Sequence, residues 1–163
     1  MSAIFVEPLL CEKPYRNNLM ADHVIKIEWQ AQGEFSHEGF ERRHSIQFQS
    51  DVSIAAGGAG NEYGADPEQM LAAAMASCHM QTFLALAAKK RLKVESYSDT
   101  AEAELSQRDD GKFWVSRITL NPKATFSGDK IPDTEAIRAM HDKAHEHCFI
   151  ANSTSSEVVV NIA

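Results

Sequence analysis

The chain has 163 residues, enough for one domain with a real core and too few for two. Aspartate and glutamate number 23 against 16 lysines and arginines. The basic residues are scattered rather than gathered into a stripe with interleaved aromatics, which argues against nucleic acid as a partner.

Residues 1–21 lack a basic start, an apolar run and a small-residue cleavage site, so they read as an N-terminal arm ahead of one domain over 22–163 rather than as a secretory signal. From His23 to Trp29, Ile25, Ile27 and Trp29 share a face, and Phe40 to Phe48 alternates again. Both segments are expected as half-buried strands, joined by a turn at 37–39. In the second, period-two alternation groups Arg42 and His44 with Phe40, Ile46 and Phe48, which points Arg42 inward and leaves Arg43 on the other side. Residues 51–65 are glycine-rich and aperiodic, and are expected as a mobile connection. They match neither a Walker loop nor a dinucleotide fingerprint.

Asp66 is a preferred N-cap, Pro67 suits the first helical position, and Gln69 completes a capping box, so a helix is predicted from Pro67. From Met70 to Ala88 only Ser77, His79, Gln81 and Thr82 are clearly polar, which predicts burial on nearly all sides. Lys89, Lys90 and Arg91 complement the negative end of the dipole and mark the stop. About 25 residues make a rod about 37 Å long, more than one small protomer can cover, which points to a partner subunit. The polar interruptions and the many alanines fit a core helix of a soluble protein rather than a membrane span.

Val94 to Ser106 and Phe113 to Phe126 are expected as a hairpin turning at 109–111. A second helix is predicted from an Asp133 cap to about Cys148, with Ile137, Met140, Ala144 and Cys148 on one face. Glu157 to Ile162 closes the chain as a strand. The order β-β-α-β-β-α-β indicates an α+β fold, antiparallel sheet packed on helices.

The chemistry centres on the thiols. Cys11, Cys78 and Cys148, an odd number at wide spacing, form neither a disulfide framework nor a C-x-x-C zinc pattern, so reduced cytoplasmic thiols are expected. Cys78 sits about three turns into its helix, beyond reach of the N-terminal dipole, so a thiolate there needs a neighbouring cation. The inward Arg42 offers one. A buried guanidinium needs anions in turn, and Glu68 in the first helical turn is the candidate carboxylate, its plainer role being dipole complementarity. Cys148, at the C-terminal end of its helix where the dipole disfavours a thiolate, suits a resolving role better than first attack. The segment H-D-K-A-H-E-H-C spaces His141 and His145 at i, i+4 with His147 beyond, which could hold zinc together with Cys78 and His79; surface or packing histidines are the plainer reading.

With these residues in hand the chain resembles the OsmC/Ohr family, the osmotically inducible and organic hydroperoxide resistance proteins. D-P-E-Q-M-L-A-A-A-M-A-S-C is similar to the family's N-P-E-E/Q-L followed by alanines and a first cysteine, and the second cysteine follows about seventy residues later. F-E-R-R-H, S-C-H-M and A-H-E-H-C-F-I-A-N-S resemble a redox-protein branch. The resemblance implies an OsmC-like intertwined homodimer with active sites at the subunit interface and a long buried central helix. It implies Cys78 as the attacking cysteine, Cys148 as the partner that forms the disulfide, and Arg42 steadied by Glu68 as the holder of the thiolate, with Arg43 as a substitute. No cofactor or metal is implied. Two departures stand out: Phe-Ile-Ala-Asn follows Cys148 where typical members read Pro-Val-Ser, and the arginine lies in a double-arginine sequence. The implied activity is that of a thiol peroxidase reducing organic hydroperoxides, regenerated by an external dithiol. Met75, Phe83 and Leu84, expected beside Cys78, favour a substrate with a hydrocarbon body. The alternatives are a zinc-binding protein using Cys78, Cys148 and nearby histidines, and a non-catalytic redox sensor or carrier on the same fold.

Overall fold

The computed structural model describes residues 23–162 apart from Gln32 and Glu34, with Ser50 described in its backbone alone. The expected arm over 1–21, with Cys11, lies outside the described residues. The first sheet is antiparallel and consists of β1 (Ile25–Glu28), β2 (His44–Phe48) and β3 (Ser53–Ala56) in that order. β3 falls where the sequence predicts a mobile connection. Its glycines serve close packing instead: the Ala65 N–H donates to Ala55 O at 3.0 Å, the Gly57 N–H to Ala65 O at 3.0 Å, and a Cβ on Gly64 would collide with the Ala55 carbonyl. β1 is exposed along its length rather than half-buried, with Ile25 47% and Ile27 59% accessible. β2 begins at His44, so Arg42 precedes the strand and the alternation that would have turned it inward does not extend to it. Arg42 is exposed.

Helix α1 (Pro67–Lys89) starts as its sequence requires. The Gln69 N–H donates to Asp66 Oδ1 at 2.7 Å, and the Asp66 N–H donates to Gln69 Oε1 at 3.1 Å. It ends in a Schellman arrangement, Leu92 N–H to Ala87 O at 3.0 Å and Arg91 N–H to Ala88 O at 2.9 Å, with Arg91 at φ 59°, the left-handed position usually given to glycine. Within one protomer α1 buries a single stripe, Ala72, Met75, His79, Phe83 and Ala87, while Ala73, Ala74, Ser77, Gln81, Ala85 and Ala88 stay open. By length and composition alone α1 could cross a bilayer. Its buried stripe packs on strands and on the second helix, the placement of a core helix.

The two long strands expected after α1 are each broken in two. β4 (Lys93–Ser98) pairs with β7 (Lys123–Ser127), and β5 (Glu102–Gln107) with β6 (Phe113–Leu120), all antiparallel. The breaks face each other and are pinned there. Asp99 Oδ1 accepts the Asn121 N–H at 2.7 Å, the Asn121 side chain donates to Thr100 O at 2.8 Å, and Pro122, without an N–H, cannot continue a ladder. The second helix, α2 (Thr134–His147), is capped by Asp133, which accepts the Ala136 N–H at 2.8 Å, and Cys148 is its C-cap. The last strand, β8 (Glu157–Val160), joins β6 in parallel, beside the antiparallel β5–β6 pair. Two apolar clusters form the core, one around Met75, Ile118, Leu120 and Cys148, the other around Phe83, Ala87, Met140 and Ala144. The architecture is α+β.

Candidate active site

The two helices bring two cysteines together. Cys78, half-buried on α1, packs against the cluster that holds Cys148, which is 0% exposed. Both are free thiols. Burial pushes the Cys148 thiol up to about 11, and its hydrogen bond to the Cys78 sulfur acts in the same direction; the Ala151 N–H, 3.4 Å from Cys148 Sγ, opposes them. The position of Cys148 at a helix C-terminus suggests the dipole as the cause of a protonated thiol, whereas the leading cause in the structure is desolvation. Cys148 therefore stays a thiol at neutral pH and can donate its S–H to Cys78.

Cys78 opens into a groove of about 810 Å³ whose walls include Ala74, Ala85, Phe149 and Ile150, with His147 on its lining. These walls replace the ones expected from sequence. Met75 lies on the Cys148 side with no exposure, and Phe83 and Leu84 pack in the other cluster, because α1 turns them toward β4, β7 and α2.

The two charged residues predicted for the site stand elsewhere in the protomer. Arg42 lies over the Phe40 ring, its guanidinium carbon 4.5 Å from the centroid, and runs past Gly58, where a Cβ would come within 2.8 Å of Arg42 Cδ. It lines a separate groove of about 500 Å³ with Trp29, Phe35 and Phe40. Arg42 makes no ion pair among the described residues. Arg43 is engaged differently, stacked 4.1 Å over Tyr63, whose hydroxyl donates to Glu41 at 3.2 Å. Glu68, ten residues before Cys78 and so about 15 Å along the axis, lines a third groove of about 480 Å³ with Asp66 and Asp99. Its Oε2 is buried without a hydrogen-bond partner among the described residues. An orphaned buried carboxylate oxygen costs about 1–3 kcal/mol or more, and a cation would relieve it.

The histidines settle into packing rather than a ligand set. His79 Nε2 and His141 Nδ1 are 2.9 Å apart, the two rings are within 3° of coplanar, and His141 stacks on Phe83 at 4.2 Å. Each histidine is 1% exposed. Burial first, and for His79 the neighbouring His141 and His145 as well, hold both at about 4, so the pair is neutral at pH 7 and shares one N–H. Among the described residues no three of His, Cys, Asp or Glu are arranged to hold a metal ion, so the zinc-binding alternative lacks its ligand cluster. The sequence names His141 and His79 among possible zinc ligands, but the spacing it offers is that of His141 with His145 and carries no sign that His79 and His141 meet each other.

The sequence profile of the family described as OsmC-like protein matches residues 57–163. None of the curated proteins matches the chain. Among solved structures, an OsmC-like protein of unknown function from Vibrio cholerae is similar with a TM-score of 0.82 and 36% identity, over 88% of this chain and 100% of that one. An OsmC-like protein from Mycoplasma pneumoniae is similar at 0.68 and 14%, over 89% and 98%. The organic hydroperoxide resistance protein OhrB of Bacillus subtilis is similar at 0.61 and 20%, over 86% and 98%. The last two likenesses are likenesses of fold.

Proposed function

Because the chain belongs to the OsmC-like protein family, we propose that it is a cysteine-based peroxidase that reduces organic hydroperoxides with electrons from an external dithiol. The observation that carries this reading is the contact between a groove-facing thiol, Cys78, and a sealed, protonated one, Cys148. The Cys78 thiolate attacks the distal oxygen of the peroxide, the O–O bond breaks, and the alcohol leaves with a proton. The resulting Cys78 sulfenic acid then condenses with the Cys148 thiol, expelling water and forming a disulfide before further oxidation can occur. A dithiol reduces the disulfide, in the cytoplasm as the proposed compartment. The groove's alanine, isoleucine and phenylalanine walls favour a hydrocarbon-bodied peroxide over hydrogen peroxide.

In this reading Arg42 and Glu68 act in a homodimer, where the arginine of one subunit reaches the helix of the other. Three features support that arrangement: the open alanine-rich side of α1, the orphaned Glu68 Oε2, and an Arg42 guanidinium without a carboxylate partner among the described residues. Arg43, already committed to Tyr63, is the weaker candidate. The test is mass spectrometry after one equivalent of an alkyl hydroperoxide. The expected product is a Cys78 to Cys148 disulfide with one equivalent of alcohol. Unmodified thiols after full exposure, or equal turnover with hydrogen peroxide, would overturn the mechanism or the preference respectively.

A further inference from the structure

Each cysteine lies close in sequence to one member of the buried histidine pair. His79 follows Cys78 directly on α1, and His141 precedes Cys148 by seven residues, about two turns of α2. The contacts around the pair run from one helix to the other and to β4: His141 stacks on Phe83 of α1 at 4.2 Å and lies 6.5 Å from the ring of Tyr97. Facing the pair are His145 from α2, whose Nδ1 is buried without a partner among the described residues, Asp142 beside His141, and the Tyr97 hydroxyl, likewise buried and unpartnered. The α1–α2 contact also holds an apolar cluster with Ala87, Met140 and Ala144. Dispersion and hydrophobic contact are non-directional and tolerate a small slide or roll of one helix on the other. A near-coplanar N–H···N bond at 2.9 Å does not. Breaking it also leaves a buried ring nitrogen unsatisfied, so a slipped arrangement is penalised rather than merely unrewarded.

We propose that the His79–His141 hydrogen bond is a clasp that fixes the roll and register of α1 against α2, and thereby holds the Cys78 and Cys148 sulfurs at bonding distance. Both histidines are positioning residues. They touch neither peroxide nor reductant, and they act through the effective concentration of one thiol at the other. The importance of the clasp for turnover rests on the peroxidase reading, whereas its effect on the thiol–disulfide equilibrium does not.

That equilibrium is the test. Reduced protein is brought to equilibrium in glutathione buffers, where the two thiols and one oxidised glutathione give the intramolecular disulfide and two reduced glutathiones, and the effective concentration is read from the fraction oxidised. His141→Ala is expected to lower it by about tenfold or more, equivalent to ~1.4 kcal/mol. His141→Asn, which retains a short polar group able to bond His79, is expected to recover most of the loss. Met140→Ala loosens the same helix contact without touching the hydrogen bond and is expected to leave the value within about twofold, although it lowers the melting temperature. An unchanged value in His141→Ala, or an equal loss in Met140→Ala, would overturn the proposal. Where His141→Ala does not fold, His141→Leu, which can still pack against Phe83, takes its place with the same two outcomes. A wild-type protein that forms the disulfide in these buffers but consumes no alkyl hydroperoxide would refute the peroxidase and leave the clasp standing.

Discussion

At the scale of single residues, the two sulfurs differ in what surrounds them. Cys148 has no accessible surface and holds its proton up to about 11, while Cys78 borders a groove. In the proposed cycle the two therefore cannot exchange roles. Cys78→Ser is expected to abolish alkyl hydroperoxide consumption, and Cys148→Ser to allow one turnover and then accumulate Cys78 sulfinic acid, as followed by mass spectrometry of the intact protein. Identical behaviour of the two variants would show the roles to be misassigned. Arg42→Ala is expected to slow peroxide reduction by about 10²-fold, the usual loss when one stabilising donor is removed from a reacting centre, and Arg43→Ala much less, in stopped-flow measurements with saturating hydroperoxide. The arginine also marks where sequence reasoning stops. Alternation is a local rule that holds only inside a strand, and Arg42 lies just before β2, so its direction is set by Phe40 and Gly58 rather than by parity. The helical positions of Cys78 and Glu68 are legible in the sequence because a helix fixes its own register once its cap is known.

Elements show the same division between local and tertiary causes. Helix α1 could be read from Asp66, Pro67 and Gln69, and α2 from Asp133, because caps are short-range hydrogen bonds. The bend that splits both arms of the hairpin could not, since Asp99 reaches Asn121 across 22 residues, and β3 hid among glycines whose purpose is the close approach of 64–65 to Ala55. The end of α1 holds a testable oddity. Arg91 occupies the left-handed C′ position at φ 59°, where a side chain costs roughly 1 kcal/mol relative to glycine. Arg91→Gly is expected to stabilise the fold by about that amount in chemical denaturation. The histidine clasp sets an acid limit on the α1–α2 contact. Both rings titrate at about 4 in the folded state against 6.5 when unfolded. Their neutral forms therefore contribute fully above pH 6.5, and that contribution is lost as the pH falls from 6.5 toward 4. Denaturation at pH 7.5, 5.5 and 4.5 should show a loss on the order of 5 kcal/mol across this window for the two rings together, and the His79→Leu/His141→Leu variant a much flatter profile. An equal slope in that variant would place the acid sensitivity elsewhere.

The molecule as a whole leaves too much apolar surface open for one protomer. Ile25, Ile27, Trp29 and Phe35 are between 40% and 69% exposed in and around the first sheet, and a whole side of α1 is uncovered. The proposed second subunit would cover both and bring a guanidinium to Glu68. Ile27→Asp is expected to convert a dimer to monomer in sedimentation equilibrium, since burying an isoleucine contributes about 1.5–3 kcal/mol and a two-fold interface loses it twice. The same variant should lose peroxidase activity while keeping the Cys78 to Cys148 disulfide equilibrium, because both sulfurs belong to one chain. A monomeric wild type would refute this arrangement. The exposure of one sulfur alone also dictates how reactants queue. In the proposed cycle, peroxide on the way in, alcohol on the way out and the incoming dithiol would all meet the protein at Cys78, because Cys148 is sealed beneath it. Oxidant and reductant thus exclude one another, and steady-state plots should give the parallel lines of a ping-pong cycle. Cys148 must also depart as a poorly acidic thiol when the dithiol attacks, so re-reduction, rather than oxidation, is where the cycle should wait.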